Sequence, residues 1–115
     1  MKALRDPRFV LALKYLENRD ILWRISLLDL AAKHKISSRD LGLLFRRYLG
    51  LSFGCFRRRR RMAEAIRLLR KDELSIKQIA FCLGYSAPSN FVRDFKLTIG
   101  KKPSQLGRHR FIGST

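Results

Sequence analysis

The chain has 115 residues and is 46% apolar, enough to bury a core without disulfides or metal and too apolar for a disordered segment. Its formal charge is +17, from 26 Lys/Arg against 9 Asp/Glu, and so basic a domain calls for a polyanionic partner, nucleic acid or an anionic membrane surface. No apolar run approaches the roughly 20 residues of a membrane span, and the N-terminus lacks the apolar stretch of a secretory signal.

In chain order, Phe9, Leu13 and Leu16, with Val10 and Ala12 beside them, predict an amphipathic helix after Pro7. Asn18 to Arg24 reads as a short connection. Ser26-x-x-Asp29 marks the start of a short helix, and Ser37-x-x-Asp40 that of a longer one running to Gly50. A helical stretch follows from about Ser52 to Arg70. Its length of about 28 Å comes near the roughly 34 Å between successive major-groove faces on one side of B-DNA. A rigid connector of that length would hold two reading helices at nearly that separation.

Between Phe45 and Lys71 there are ten basic residues and one acid, Glu64. Five of the ten are consecutive, Arg57 to Arg61, and step around a helix by about 100° each, so they cannot all face one partner. With Cys55, Met62, Ala65, Ile66 and Leu69 taken as the apolar side, Arg58 and Arg59 flank it, their stems packed and their heads at its edge. Arg57, Arg60 and Arg61 then point away and are candidate phosphate contacts.

Ser75-x-x-Gln78 starts another short helix, and Gly84 before Tyr85 ends it in a turn. Pro88 fits only a first helical turn, which makes Ser86 or Ala87 the cap of the helix that follows, running to Gly100. Pro103-Ser104 begins a last turn through Gln105 and Leu106, and Arg108 to Thr115 reads as a frayed tail. Cys55 and Cys82 fall at apolar helical positions and read as buried free thiols of a cytosolic protein. With His34 and His109 far apart and no Cys-x-x-Cys spacing, neither a zinc site nor any other cofactor is expected.

A pattern recurs across these elements. Leu30-Ala31, Ile36-Ser37, Leu41, Phe45 and Gly50 are answered by Ile79-Ala80, Tyr85-Ser86, Phe91, Phe95 and Gly100. The offset is 49 up to Ser37 and 50 from Leu41 on, so the second copy carries one extra residue, expected within Ala87 to Asn90. Each copy reads as helix, turn, helix, the unit that lays its second helix in a DNA major groove. The turn of the first copy, His34-Lys35, has no glycine and is the less sharply specified of the two.

These residues resemble the DNA-binding domain of the AraC/XylS family of bacterial transcription regulators. In the first half the matching stretches are Leu30-Ala31-Ala32, Ser37 to Leu41, Leu44 to Arg47, Leu49 to Phe53 and Ala65 to Leu69. The second half follows the family signature more fully, in Leu74-Ser75-Ile76, Ile79-Ala80, Leu83-Gly84-Tyr85, Phe91 to Lys96, Gly100 and Pro103-Ser104. The resemblance covers about residues 8–108 and implies an all-α fold of about seven helices. Two helix-turn-helix subdomains, residues 26–50 and 75–100, would flank a linker helix at 52–70, with 109–115 as a tail.

The resemblance also implies transcription regulation, commonly activation, with reading helices at Ser37 to Leu49 and Ala87 to Ile99. The family's base-facing positions fall on Arg39, Gly42 and Leu43 in the first helix, and on Pro88, Ser89, Asn90 and Arg93 in the second. Arg39 and Arg93 suit guanine, Asn90 suits adenine, and Leu43 could touch a thymine methyl, while Gly42 offers no side chain. Arg46, Arg47 and Lys96 would meet phosphate, fixing register without reading sequence. The second head, with Ser89, Asn90 and Arg93, is therefore expected to set most of the specificity.

Most relatives carry a further effector or dimerisation domain, and the starting Met favours a single-domain member of the MarA and SoxS type over a fragment. Double-stranded DNA is the expected partner, RNA polymerase a further one, and the expected form a monomer on a site of roughly 20 base pairs in the bacterial cytoplasm, at the nucleoid. The competing readings are a non-specific nucleic-acid-coating protein acting by charge alone and a membrane-active helix centred on Arg57 to Arg61. No nucleophile–base set, carboxylate pair or phosphate-cradling glycine loop points to an enzyme.

Overall fold

The computed structural model describes residues 6–106, which form seven α-helices and a single 3-10 turn, with no strand among the described residues. The chain divides into two compact units between Arg58 and Arg59. The first holds α1 (Pro7–Tyr15), α2 (Arg19–Arg24), α3 (Leu27–Lys33), α4 (Ser38–Leu49) and the start of α5 (Phe53–Lys71). The second holds the rest of α5, then α6 (Ile76–Cys82), α7 (Pro88–Ile99) and the 3-10 turn Pro103–Gln105. The expected tail, 109–115, lies outside the described residues.

Most of these helices start at a side-chain oxygen that accepts an otherwise orphaned backbone N–H. Asp6 accepts from Arg8, Asn18 from Ile21, Ser26 from Asp29, Ser37 from Asp40, Ser52 from Cys55 and Ser75 from Gln78. At Ser75 the box is closed in both directions, since Gln78 Oε1 accepts from the Ser75 N–H at 2.8 Å. Helix α7 starts differently. Pro88 removes one donor and holds Ala87 extended at φ −143° and ψ 141°, so the cap needs no side-chain bond.

The repeated apolar positions are the buried ones. Leu30, Ala31, Ile36, Leu41 and Phe45 lie in the core of the first unit, and Ile79, Ala80, Tyr85, Phe91 and Phe95 in that of the second. Phe45 is the hub of the first core, with the rings of Phe9, Phe53 and Phe56 centred 5.1, 5.3 and 5.4 Å from its own. In the second, Phe91 stands between Tyr85 and Phe95 at 5.6 and 5.7 Å. Ring pairs at these spacings add to area burial through their quadrupoles.

The structure corrects several expectations. Residues 19–24 are not a connection but helix α2, capped by Asn18, with Asp20 in its first turn and Leu22 and Trp23 buried. The extra residue of the second copy is not inside its second helix. Tyr85 still answers Ile36 at an offset of 49, whereas the caps Ser37 and Ala87 already differ by 50, and α4 and α7 are both 12 residues long. The insertion is therefore Ser86, in the turn between Tyr85 and the cap Ala87.

The first turn is also as sharply formed as the second. Lys35 donates to Ala32 O and Ile36 to Ala31 O, as Gly84 donates to Phe81 O and Tyr85 to Ala80 O. Lys35 takes the left-handed conformation, φ 57°, that Gly84 takes at φ 87°. Both cysteines are free thiols, but neither is buried: Cys55 is half-buried and Cys82 exposed. At α5 the register differs from the expected one, because Phe53 and Phe56 are buried there. With them on the apolar side, Arg57 and Arg61 turn inward while Arg58, Arg59 and Arg60 are exposed.

Candidate nucleic-acid interface

In each unit a short helix, a four- or five-residue turn and a 12-residue helix leave one long face of the second helix in solvent. On α4 that face carries Arg39, Leu43, Arg46 and Arg47, at the three- and four-residue steps that align side chains along one side. Leu43 is 53% exposed among these cations, where the free protein gains nothing from it. On α7 the same positions, fifty residues on, hold Ser89, Arg93, Lys96 and Leu97, all exposed.

Three other positions named from the resemblance sit less openly. Asn90 is half-buried, near the open face but not on its crest, and its backbone N–H donates to Ala87 O. Gly42 is also half-buried, and a side chain there would point to Leu27 of α3, with Cβ 3.8 Å from Leu27 Cδ2. Position 42 therefore belongs to the α3–α4 seam and not to the reading face. Pro88 is half-buried at the first turn of α7.

Two residues on or beside these faces escape a reading that looks only for polar or family-matched positions. Leu97 is 78% exposed on α7, where α4 has Arg47. Asp40 is exposed on α4, where α7 has Asn90. The offset of 50 names both, once it is applied to every position and not only to the apolar ones.

The arginine run divides by task. Arg57 donates to Leu22 O and Ile25 O, the open carbonyls at the end of α2, and its guanidinium lies 4.8 Å from the centre of the Phe53 ring. It closes a helix and is half-buried, turned inward from the exposed Arg58, Arg59 and Arg60. Arg61 lies 4.5 Å from the centre of the buried Tyr85 ring. Arg60 keeps the exposure a phosphate contact requires, and Arg58 and Arg59 share it.

Each turn is held by a side-chain bond, in the first unit from outside the motif and in the second from within it. In the first unit Arg8 donates to Lys35 O at 3.3 Å while its other nitrogens meet the Asp6 carboxylate. That hydrogen bond and its charge hold the Asp6 carboxyl below its ordinary value. In the second unit Tyr85 donates to Asp94 Oδ2 at 3.1 Å. Burial pushes the Tyr85 phenol above its ordinary value, against the Arg61 guanidinium, which acts to lower it.

A helix-turn-helix domain family matches residues 30–109 of the chain. The HTH-type transcriptional regulator GlxA of Rhizobium meliloti is 38% identical over 73 residues, 64% of this chain and 22% of that protein. The C-terminal domain of AraT, a response regulator from Geobacillus stearothermophilus, superposes with a TM-score of 0.82 at 30% identity, covering 91% of this chain and 87% of that domain. A Chromobacterium violaceum regulator with an AraC-type DNA-binding domain gives 0.77 at 27% identity, covering 90% and 92%. Across four curated relatives the chain spans between 22% and 36% of their length.

Proposed function

Because the chain belongs to the AraC/XylS family of helix-turn-helix DNA-binding domains, we propose that it is a sequence-specific transcription regulator that reads DNA with α4 and α7. The observation that carries this is the pair of solvent-facing rows on the second helix of each motif, at matched positions fifty residues apart. Each row mixes side chains that suit base edges, Arg39 with Leu43 and Ser89 with Arg93, with cations that suit phosphate, Arg46, Arg47 and Lys96. A protein that coats nucleic acid by charge alone has no use for an exposed leucine on such a row, nor for two separately built turns.

Arg93 and Arg39 donate to guanine, Leu43 contacts a thymine methyl, and Ser89 reads beside them. Asn90 reaches adenine from the flank of α7. Arg60 adds a phosphate contact from α5. One chain carries both heads, so it acts as a monomer on an asymmetric site in the bacterial cytoplasm. Activation is the direction we assign it, with RNA polymerase as the further partner. No helix among the described residues is long and apolar enough to cross a membrane.

The test is selection of bound duplexes from random DNA at physiological salt. Recovery of one asymmetric motif is expected. Recovery of no motif, with affinity explained wholly by counterion release, would return the charge-only reading.

A further inference from the structure

One polar contact of the second head pairs its turn with its long helix and touches no solvent-facing row. In the second unit the turn residue Tyr85 is 8% exposed, and its hydroxyl donates to Asp94 Oδ2 at 3.1 Å. Asp94 is half-buried on α7, directly after the exposed Arg93 and about 100° around the helix from it. Arg61, from α5, lies 4.5 Å from the Tyr85 ring centre. The matching positions of the first unit are Ile36 and Leu44, which can pack but cannot hydrogen-bond.

A hydrogen bond to a carboxylate is directional over a few tenths of an ångström, where apolar packing tolerates small shifts at little cost. The link therefore constrains the rotation of α7 about its own axis more tightly than anything at Ile36 and Leu44 constrains α4. Base reading by a bidentate arginine is sensitive to such rotation; phosphate contact by a long lysine is much less so.

We propose that Tyr85 and Asp94 form a positioning link that sets the angle at which α7 presents Arg93 to a base pair, with Arg61 holding the Tyr85 ring in place. The base selectivity of the second head then depends on two residues that never touch DNA. This rests on the reading of Arg93 as a base contact. The first head has no such device, which sharpens the inequality between the heads.

The test measures binding of the full chain to a duplex recovered by selection and to a scrambled duplex of equal length, at one salt concentration. Tyr85→Phe keeps the ring and removes the hydroxyl, and should cut the preference for the selected duplex about fivefold while leaving affinity for the scrambled one unchanged. Asp94→Ala should do the same, and Asp94→Asn, which keeps an acceptor oxygen, should restore most of the preference. In an Arg93→Ala background Tyr85→Phe should change the preference by less than about twofold, because the two act through one contact. Thermal melts of each variant separate positioning from folding. A lowered melting temperature with the preference intact, or an undiminished effect of Tyr85→Phe in the Arg93→Ala background, overturns the link alone. Equal loss on both duplexes for Arg93→Ala overturns the base-reading assignment and the link with it.

Discussion

Five arginines in a row have the same chemistry, and only their neighbours distinguish them. Arg57 serves the carbonyls of Leu22 and Ile25, Arg61 the ring of Tyr85, and Arg58, Arg59 and Arg60 face solvent. The run itself was plain in the sequence. Its register was not, because a helix packed on two cores shows a different apolar side in each, Phe53 and Phe56 in one and Met62, Ala65 and Leu69 in the other. A single apolar side drawn through Cys55, Met62, Ala65, Ile66 and Leu69 places Arg57 and Arg61 in solvent, whereas both are half-buried. The division has consequences in solution. Arg57→Ala leaves two helix-end carbonyls without their donor and should cost about 1–2 kcal/mol of stability by thermal or urea melts, with the salt dependence of DNA binding unchanged. On the reading faces, Arg93→Ala should cost about 1–3 kcal/mol on a preferred duplex and relax preference at one base pair. Arg46→Ala should weaken all duplexes alike and lower the salt slope by about one unit, which titrations at several salt concentrations would show.

At the scale of elements, the caps and apolar positions were legible because each is a local signal: a Ser three residues before an Asp or Gln, or an apolar residue recurring at helical spacing. Helix α2 was not, since six residues with two adjacent buried ones, Leu22 and Trp23, show no period. The first turn was hidden for a related reason. Glycine is the sequence mark of a sharp turn, yet Lys35 adopts φ 57° and makes the same two backbone bonds as Gly84. The tertiary bond from Arg8 to Lys35 O and the burial of Ile36 hold a conformation that a lysine would not choose. Relieving that conformation should help the fold. Lys35→Gly is expected to stabilise the first unit by about 0.5–1 kcal/mol, the left-handed cost removed less the entropy that glycine adds to the unfolded chain. Gly84→Ala should destabilise the second unit by about 1 kcal/mol, and chemical denaturation of both variants checks the pair. At Gly50 and Gly100 the requirement is likewise one of backbone angle, φ 71° and 87°, since a Cβ at either would meet nothing within 4 Å.

For the whole molecule, the repeat gives two motifs with matching core positions and second helices of 12 residues, but with differently furnished faces. Leu43 stands where the other head has Arg93, Arg47 where it has Leu97, and Asp40 where it has Asn90. The first face carries three arginines around a leucine, weighted toward phosphate, with an acid at its edge. The second carries fewer charges and the Tyr85–Asp94 bond behind its one arginine. With α4 and α7 reading DNA as proposed, affinity would rest mainly on the first head and discrimination mainly on the second. The most direct measurement is a scan of every single base-pair substitution across a duplex recovered by selection, made with the unmodified chain and with Arg93→Ala. Two clusters of sensitive positions are predicted, the costlier one being flattened by Arg93→Ala and the other left as it was. A single cluster, or larger costs in the cluster that Arg93→Ala leaves untouched, would contradict the account.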